Sequence, residues 1–218
     1  MKPQDAKNTN PRPSTTQEGA RASLESPSAT MEQLRSATEK TLPFSHEELQ
    51  DIIAGLERDI ADSSWLKGNY HYADMDLRMM PILLERANNK YQGLNLKLVT
   101  TSEDLCHSIK EAMDNGIYAS RYIVTTTDRG IHTIVLDQRT IDGKTSLIAF
   151  EPATLRDEIP LLLAVRLQLT LQRHLSDCHF SMVEMDIQRS SSECAIFSLG
   201  LAKKLHREAD QLTKMHED

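Results

Sequence analysis

The sequence predicts an α+β fold in which a mixed β-sheet is flanked by helices, after a disordered N-terminal tail. Apolar residues recur at helical spacing from residue 49 to residue 60, directly after a helix-start signal. Three strand-like runs, separated by turn signals, follow one another between residues 122 and 150. A last apolar helical run begins at Cys194, after a serine-rich loop. Helices placed before and after a strand meander are typical of the α+β class.

Composition and charge limit the kinds of protein that this chain can be. With 218 residues it can form one large domain, or one domain and a tail. Hydrophobic residues make up 39% and charged residues 26%, which is ordinary for a globular protein. The net charge of −7 disfavours a general nucleic-acid-binding role. No apolar run reaches the ~18 residues of a membrane span, and the first residues lack the apolar core of a cleavable signal peptide.

The three cysteines, Cys106, Cys178 and Cys194, show no paired short spacing. An odd count of this kind favours a reducing compartment over a disulfide or zinc framework. We expect Cys106 and Cys178 to be structural. The chain is predicted to divide into a disordered tail, residues 1–43, and a folded domain, residues 44–218. The tail is rich in proline, serine and threonine, and its few apolar residues show no period.

Four helices are predicted before the Cys194 helix, each from local signals. Ser45 and Glu48 have the spacing of a capping box, and Gly116 stands where a helix would end. Pro81 should lie in the first turn of its helix or kink it. The last of the four is apolar on nearly every side, which predicts burial on more than one face. The predicted ranges are 45–62, about 76–89, about 101–115 and about 160–175.

Five strands are predicted, and the hairpin around Asp142-Gly143 is the most informative. A two-residue loop at that dipeptide would place His132 opposite Ala153, with Glu151 two residues away on the same face. A loop two residues longer and centred one position earlier would place His132 directly opposite Glu151. Both registers bring the imidazole and the carboxylate within reach of each other, although such a cross-strand pair can also have no catalytic role. The predicted strands are 94–98, 122–126, 131–137, 145–150 and 179–187, the last of them largely buried.

Cys194 is predicted to lie at a helix N-terminus, directly after the polar loop that begins at Gln188. Unpaired main-chain N–H groups and the positive end of the helix dipole lie there, which favours thiolate over thiol. The Gln188 amide could donate a hydrogen bond beside the Cys194 N–H, so that the two donors form an oxyanion hole. The alternative interpretation is a buried structural cysteine at the start of a helix.

Together these residues predict acyl transfer through a thioester. His132 would act as the general base for Cys194, and Glu151 would orient the imidazole and stabilise its charged form. Gln188 and the Cys194 N–H would hold the oxyanion. Each signal is weak alone, but their occurrence in one chain order is more specific.

The run DCHFSMVEMDIQRSSSEC, from Asp177 to Cys194, carries a resemblance to a known family. Shorter matching stretches are residues 87–91, 130–132, 143–148, 150–153 and 202–205. From about residue 44 to its end, the chain resembles the YopJ family of bacterial type III secreted effectors. The resemblance implies a fold like that of the adenovirus protease and ubiquitin-like protease group of cysteine peptidases. It also implies a triad of His132, Glu151 and Cys194, with Gln188 at the oxyanion position.

The resemblance further implies a protein acetyltransferase delivered by a type III system into the host cytoplasm. Such enzymes take acetyl from acetyl-CoA onto the cysteine and pass it to Ser or Thr, sometimes Lys, of host kinases. The implied targets are MAP kinase kinases and IκB kinase, and the implied activator is inositol hexakisphosphate. Family members continue for several tens of residues beyond the position of Asp218, so weak binding of both ligands is expected. Two alternatives remain: a cysteine peptidase acting on ubiquitin-like conjugates, and an inactive effector that only binds kinases.

Overall fold

The computed structural model describes residues 43–63, 70–126, 131–188 and 193–217. The predicted tail, residues 1–43, lies almost wholly outside this part of the chain, and its predicted disorder therefore stays a prediction. Among the described residues, no helix combines the length and the apolar character needed to cross a membrane.

In chain order, the structure contains α1 (His46–Asp62), α2 (Tyr70–Lys90), β1 (Leu96–Val99), α3 (Ser102–Asp114), β2 (Ala119–Thr126), β3 (His132–Ile141), β4 (Lys144–Glu151), α4 (Glu158–His174), β5 (His179–Glu184), α5 (Cys194–Arg207) and α6 (Ala209–Glu217). The five strands form one mixed sheet in the order β1-β2-β3-β4-β5. The outer pairs, β1 with β2 and β4 with β5, are parallel, whereas β2, β3 and β4 form an antiparallel meander. The predicted mixed sheet flanked by helices is therefore confirmed.

The turn between β3 and β4 fixes which side chains meet at the far end of this hairpin. Asp142 and Gly143 both have positive φ, 52° and 76°, as a two-residue type I′ turn requires. Val135 consequently pairs with Phe150, and the shorter of the two predicted loops is the observed one. One residue of slip would have moved every side chain of β4 to the other face of the sheet.

The sheet separates two apolar cores because successive strand residues point to opposite faces. On one face, α2, α5 and α6 pack against a set that includes Ile123 and Val135. On the other face, α3 and α4 pack against a set that includes Tyr122 and Leu136. All four of these strand residues have 0% exposed surface, which places the middle of the sheet in the interior of the protein.

Local helix signals are confirmed where the sequence carries them. In α1, the Ser45 N–H donates to Glu48 Oε2 at 2.7 Å and the Glu48 N–H donates to Ser45 Oγ at 3.2 Å, which is a complete capping box. Gly116 follows the C-cap of α3 with φ +66°, a conformation that glycine adopts without steric cost.

The predicted start of α2 is wrong by about two turns. The helix begins at Tyr70 instead of near Asp76, so Pro81 lies in its interior and not in its first turn. Ala73 and Met80 are both 0% exposed and lie seven residues apart, which is two helical turns. Packing of this face against the core therefore extends the helix through residues whose own sequence pattern is weak.

Two further predictions of burial are wrong. The helix α4 buries one face only: Leu163, Leu167 and Leu171 are covered, whereas Leu161, Leu162, Val165 and Leu169 are 42–58% exposed. The strand β5 ends at Glu184 instead of Ile187, and its side chains are mostly half-buried. An edge strand packs against fewer neighbouring segments than a central strand, so its side chains are more exposed. A run of apolar residues in the sequence does not show which of the two positions a strand takes.

Candidate active site

His132 and Glu151 form a buried pair at one end of the sheet. His132 opens β3 and Glu151 closes β4, so the antiparallel pairing brings them to the same end. His132 Nε2 lies 2.8 Å from Glu151 Oε2 and 3.0 Å from Oε1. The side chains are 7% and 0% exposed. With Nε2 donating to the carboxylate, Nδ1 carries the lone pair of a neutral imidazole.

The main chain also holds the Glu151 carboxylate in position. The N–H of Ala153 donates to Glu151 Oε1 at 2.7 Å. The Glu151 carbonyl accepts a hydrogen bond from the Met185 N–H at 2.8 Å, which ties β4 to the segment that follows β5. The Ala153 N–H therefore holds the carboxylate that contacts the imidazole, while the Met185 N–H holds the Glu151 main chain.

Cys194 is the first residue of α5 and lies against the start of β3, the strand that His132 opens. Its Sγ donates to the main-chain oxygen of Ile131, the residue before His132, at 3.6 Å. The hydroxyl of Thr133, the residue after His132, donates to the Cys194 carbonyl oxygen at 2.8 Å. Both chain neighbours of His132 therefore contact Cys194, which brings the start of α5 against the start of β3.

The prediction that the helix start favours a thiolate is wrong for this structure. Burial is the largest influence and raises the pKa of the Cys194 thiol. Hydrogen bonds from the Thr133 hydroxyl and from the Ala195 and Cys194 N–H groups act in the opposite direction, and the charge of Asp76 raises the pKa further. The expected helix-start donors are present, but Cys194 is 0% exposed, and desolvation of the charged form outweighs them.

Gln188 lies on the segment that runs past the Glu151 end of β4. Its main-chain N–H donates to the Pro152 oxygen at 2.8 Å, and the N–H of Ile187 donates to the same oxygen at 2.9 Å. These bonds place the Gln188 main chain next to the residue that follows Glu151. The loop residues 189–192 lie outside the described part of the chain, and the oxyanion role of the Gln188 side chain stays a prediction.

Sequence reasoning missed three polar residues around Cys194. Thr133 and Ser198 are fully buried between β3 and α5, and their hydroxyl oxygens are 2.8 Å apart. Asp76, on α2, acts electrostatically on Cys194, and its own pKa is raised to about 6 by burial and then by the charge of Glu193. Only tertiary packing brings α2, β3 and α5 together, so no local pattern identifies these residues. In the described part of the chain, no cluster of His, Cys, Asp and Glu has the arrangement of a metal site.

The fold and this site define an α+β protein with a candidate cysteine acyl-transfer centre. A family model described as YopJ Serine/Threonine acetyltransferase matches residues 49–218. The chain therefore belongs to the YopJ serine/threonine acetyltransferase family, as the resemblance predicted.

The similar proteins are longer than this chain. It is 54% identical over 176 residues to the serine/threonine-protein acetyltransferase YopJ of Yersinia pestis, covering 80% of this chain and 60% of that protein. The YopJ of Yersinia pseudotuberculosis is 53% identical over the same length. This chain thus spans about 60% of the curated relatives that it matches.

Solved structures agree with this family assignment. A structure of AvrA delL154 with IP6 and CoA matches with a TM-score of 0.71 and 48% identity, over 80% of this chain and 65% of that one. The crystal structure of HopZ1a in complex with IP6 matches with a TM-score of 0.57 and 25% identity, over 67% of this chain and 49% of that one.

Proposed function

We propose that this chain is an effector acetyltransferase that moves acetyl from acetyl-CoA, through a Cys194 thioester, to Ser or Thr hydroxyls of host signalling kinases. The observation that carries the proposal is the buried His132–Glu151 pair beside the start of the Cys194 helix, in a chain of this family. Lys is a further acceptor, and MAP kinase kinases and IκB kinase are the proposed targets. Delivery by a type III system into the host cytoplasm completes the proposal, with residues 1–43 as the secretion tail.

The first half-reaction loads the cysteine. Because burial raises the pKa of the Cys194 thiol, a base must take its proton. His132 is the proposed base, since the residues on either side of it, Ile131 and Thr133, both contact Cys194. The sulphur then attacks the acetyl carbonyl carbon of acetyl-CoA, a carbon–sulphur bond forms, and the coenzyme A thiolate leaves with the proton from His132. Glu151 stabilises the imidazolium between these two steps through its bonds to Nε2.

The second half-reaction unloads the cysteine onto the protein acceptor. The acceptor hydroxyl gives its proton to His132 while its oxygen attacks the thioester carbonyl carbon. The bond to sulphur breaks, an acetyl ester forms on the acceptor, and Cys194 recovers the proton as a thiol. The N–H groups of Cys194 and Ala195, which lower the pKa of the thiol, are the proposed donors to the carbonyl oxygen of the thioester. The Gln188 amide is proposed as an additional donor.

The ligands in the similar structures support the proposed donor and activator. AvrA was solved with IP6 and CoA, and HopZ1a with IP6 and also with IP6 and CoA. On this basis acetyl-CoA is the acyl donor of this chain and inositol hexakisphosphate is its activator. Calorimetric titration of each ligand into the chain measures both interactions independently of catalysis.

The test of the function is incubation with acetyl-CoA and a MAP kinase kinase, with and without inositol hexakisphosphate, read by intact mass. We expect the kinase to gain acetyl groups, and rapid quenching should find acetyl on Cys194. Cys194→Ala should abolish both signals, whereas the matched variants Cys106→Ala and Cys178→Ala should retain them. Acetyl found mainly on Cys106 would contradict the assignment. Cleavage of a ubiquitin-like conjugate without acetylation would favour the peptidase, and kinase binding without either reaction would favour an inactive effector.

A further inference from the structure

Two hydroxyl side chains join the Cys194 helix to the strand that carries His132. Thr133 and Ser198 are both 0% exposed, on β3 and in the second turn of α5 respectively. Thr133 Oγ1 lies 2.8 Å from the Cys194 carbonyl oxygen and 2.8 Å from Ser198 Oγ. The only other partner of Ser198 Oγ within the described contacts is the Thr133 main-chain oxygen, at 3.4 Å. Three residues therefore form one buried hydrogen-bonded chain beneath the first turn of α5.

The direction of this chain follows from counting protons. A hydroxyl has a single proton to donate and can accept through its oxygen. Thr133 donates to the Cys194 carbonyl, which has no proton of its own, so the proton between the two hydroxyls comes from Ser198. The same Thr133 hydroxyl also lowers the pKa of the Cys194 thiol by hydrogen bonding to the sulphur, which makes the sulphur a second acceptor. Thr133 thus has one proton and two alternative acceptors, both of them on Cys194.

We propose that Thr133 is a positioning residue that acts through Cys194, donating its proton to the Cys194 carbonyl while the sulphur is a thiol and to the sulphur once it is a thiolate. Ser198 continues to donate to Thr133 in both states and holds the oxygen in place. After His132 removes the proton, the thiolate accepts a hydrogen bond from Thr133. This bond stabilises the negative charge in a buried site, where an unpaired charge would be unfavourable.

This inference rests on the proposed function only in that Cys194 is taken to be the nucleophile. Its prediction concerns the charge of the sulphur, which can be measured without acetyl-CoA or a protein acceptor. A chain that failed to transfer acetyl would still confirm or refute it. The two hypotheses therefore fail in different experiments.

The test is the pH profile of Cys194 alkylation by iodoacetamide, with the modified peptide identified by mass spectrometry. Thr133→Val keeps the shape of the side chain and removes the hydroxyl. Because a tenfold change in thiolate fraction corresponds to one pKa unit, we expect alkylation at pH 7 to slow by about threefold to tenfold and the profile to move to higher pH. Thr133→Ala should give the same shift, and Thr133→Ser, which restores the hydroxyl, should give the wild-type profile.

Ser198→Ala is the matched control because it removes a hydroxyl from the same chain without removing the donor to sulphur. Its alkylation profile should stay close to that of the wild type. Profiles for Thr133→Val and Thr133→Ala that coincide with the wild type would overturn the proposal. An equal shift in Thr133→Ser or in Ser198→Ala would also overturn it, since it would show a general loosening of the first turn of α5.

Discussion

The carboxylates of Glu151 and Asp76 act on different members of the proposed triad: Glu151 on His132, and Asp76 on Cys194. Glu151 contacts the His132 imidazole directly, at 2.8 Å from Nε2. Asp76 opposes charge on Cys194, since a second negative group nearby disfavours a thiolate. One carboxylate therefore contacts the proposed base, whereas the other adds to the effect of burial in raising the pKa of the Cys194 thiol.

Replacing Asp76 by asparagine tests how much the charge of this half-buried carboxylate lowers the free energy of unfolding. Burial raises its pKa from 3.8 to about 6, so the folded chain holds a proton more tightly than the unfolded chain. The stability that this proton contributes is present in full at pH below the pKa of the unfolded chain. It is lost as the pH rises through the pKa of the folded chain. We expect Asp76→Asn to stabilise the chain by about 1 kcal/mol at pH 7.5, after discounting for solvent screening. The advantage should disappear near pH ~3.5, where the wild-type carboxyl is neutral.

The measurement is urea denaturation at both pH values. Asp74→Asn is the matched control, because Asp74 is an exposed acidic residue two positions away on the same helix. An equal gain in both variants, or a gain for Asp76→Asn that persists at the lower pH, would contradict the explanation by burial.

Replacing Glu151 by glutamine keeps the shape of the side chain and removes the charge that stabilises the His132 imidazolium. The amide also offers protons to a ring nitrogen that already donates. We expect kcat for acetyl transfer to fall by about 10²- to 10⁴-fold, the usual contribution of general acid–base catalysis. Glu184→Gln is the matched control, because Glu184 pairs with Glu151 in the β4–β5 register but bonds the Thr154 hydroxyl and the Leu155 N–H. Comparable losses in the two variants would indicate damage to the sheet and not to the catalytic pair.

At the scale of the elements, α5 positions its first residue through the packing of the residues that follow. Leu199, Ala202 and Leu205 are buried against the sheet in the same core as Val135 of β3. This apolar face fixes the helix lengthwise on the strand, so that Cys194 reaches Ile131 at the strand start. The helix therefore places the sulphur by its apolar core contacts as well as by the polar contacts of its first turn.

The amphipathic character of α4 leads to a stability prediction. Leu167 is 0% exposed in the core beneath α4, whereas Leu169, two residues on, is 58% exposed. Leu167→Ala should destabilise the chain by about 2–5 kcal/mol, because it leaves a cavity among closely packed neighbours. Leu169→Ala should change stability by no more than about 0.5 kcal/mol. Chemical denaturation of both variants measures the difference, and similar losses would show that the exposed face of α4 is covered in solution.

At the scale of the whole molecule, Asp137 connects three elements through buried charges. Its two oxygens lie 2.8 Å from Arg121 Nε of β2 and 2.8 Å from Arg139 Nε of its own strand. His216 Nε2, at the end of α6, lies 3.0 Å from the same carboxylate. All four side chains are at most 10% exposed, so the carboxylate is the counter-charge of two buried arginines and a hydrogen-bond partner of His216.

Removing this carboxylate should therefore destabilise the chain strongly. Asp137→Ala leaves two arginines and a histidine facing one another in the interior, and we expect a loss of about 3–5 kcal/mol in the free energy of unfolding. The matched control is Glu111→Ala, which breaks the exposed 2.8 Å pair with Lys97 and should have little effect. Thermal denaturation monitored by circular dichroism compares the two variants. Equal melting temperatures for Asp137→Ala and the wild type would show that the buried arginines do not depend on this carboxylate.

The sequence by itself determined the features that depend on neighbours along the chain. The capping box of α1, the Asp142-Gly143 turn and the helix start at Cys194 were all predicted, because each follows from the dihedral preferences and hydrogen bonds of a few consecutive residues. The shared face of His132 and Glu151 also followed, since side chains alternate along a strand. The family resemblance came from the same local stretches.

Tertiary structure alone decided what depends on packing between distant segments. It extended α2 to Tyr70, left one face of α4 exposed and placed β5 at the edge of the sheet. It also brought Thr133 and Asp76 to Cys194, and burial raised the pKa of the thiol, whereas the helix start alone favours the thiolate. Desolvation is the physical reason, because it depends on every atom that covers a group, and the sequence around Cys194 contains only a few of those atoms.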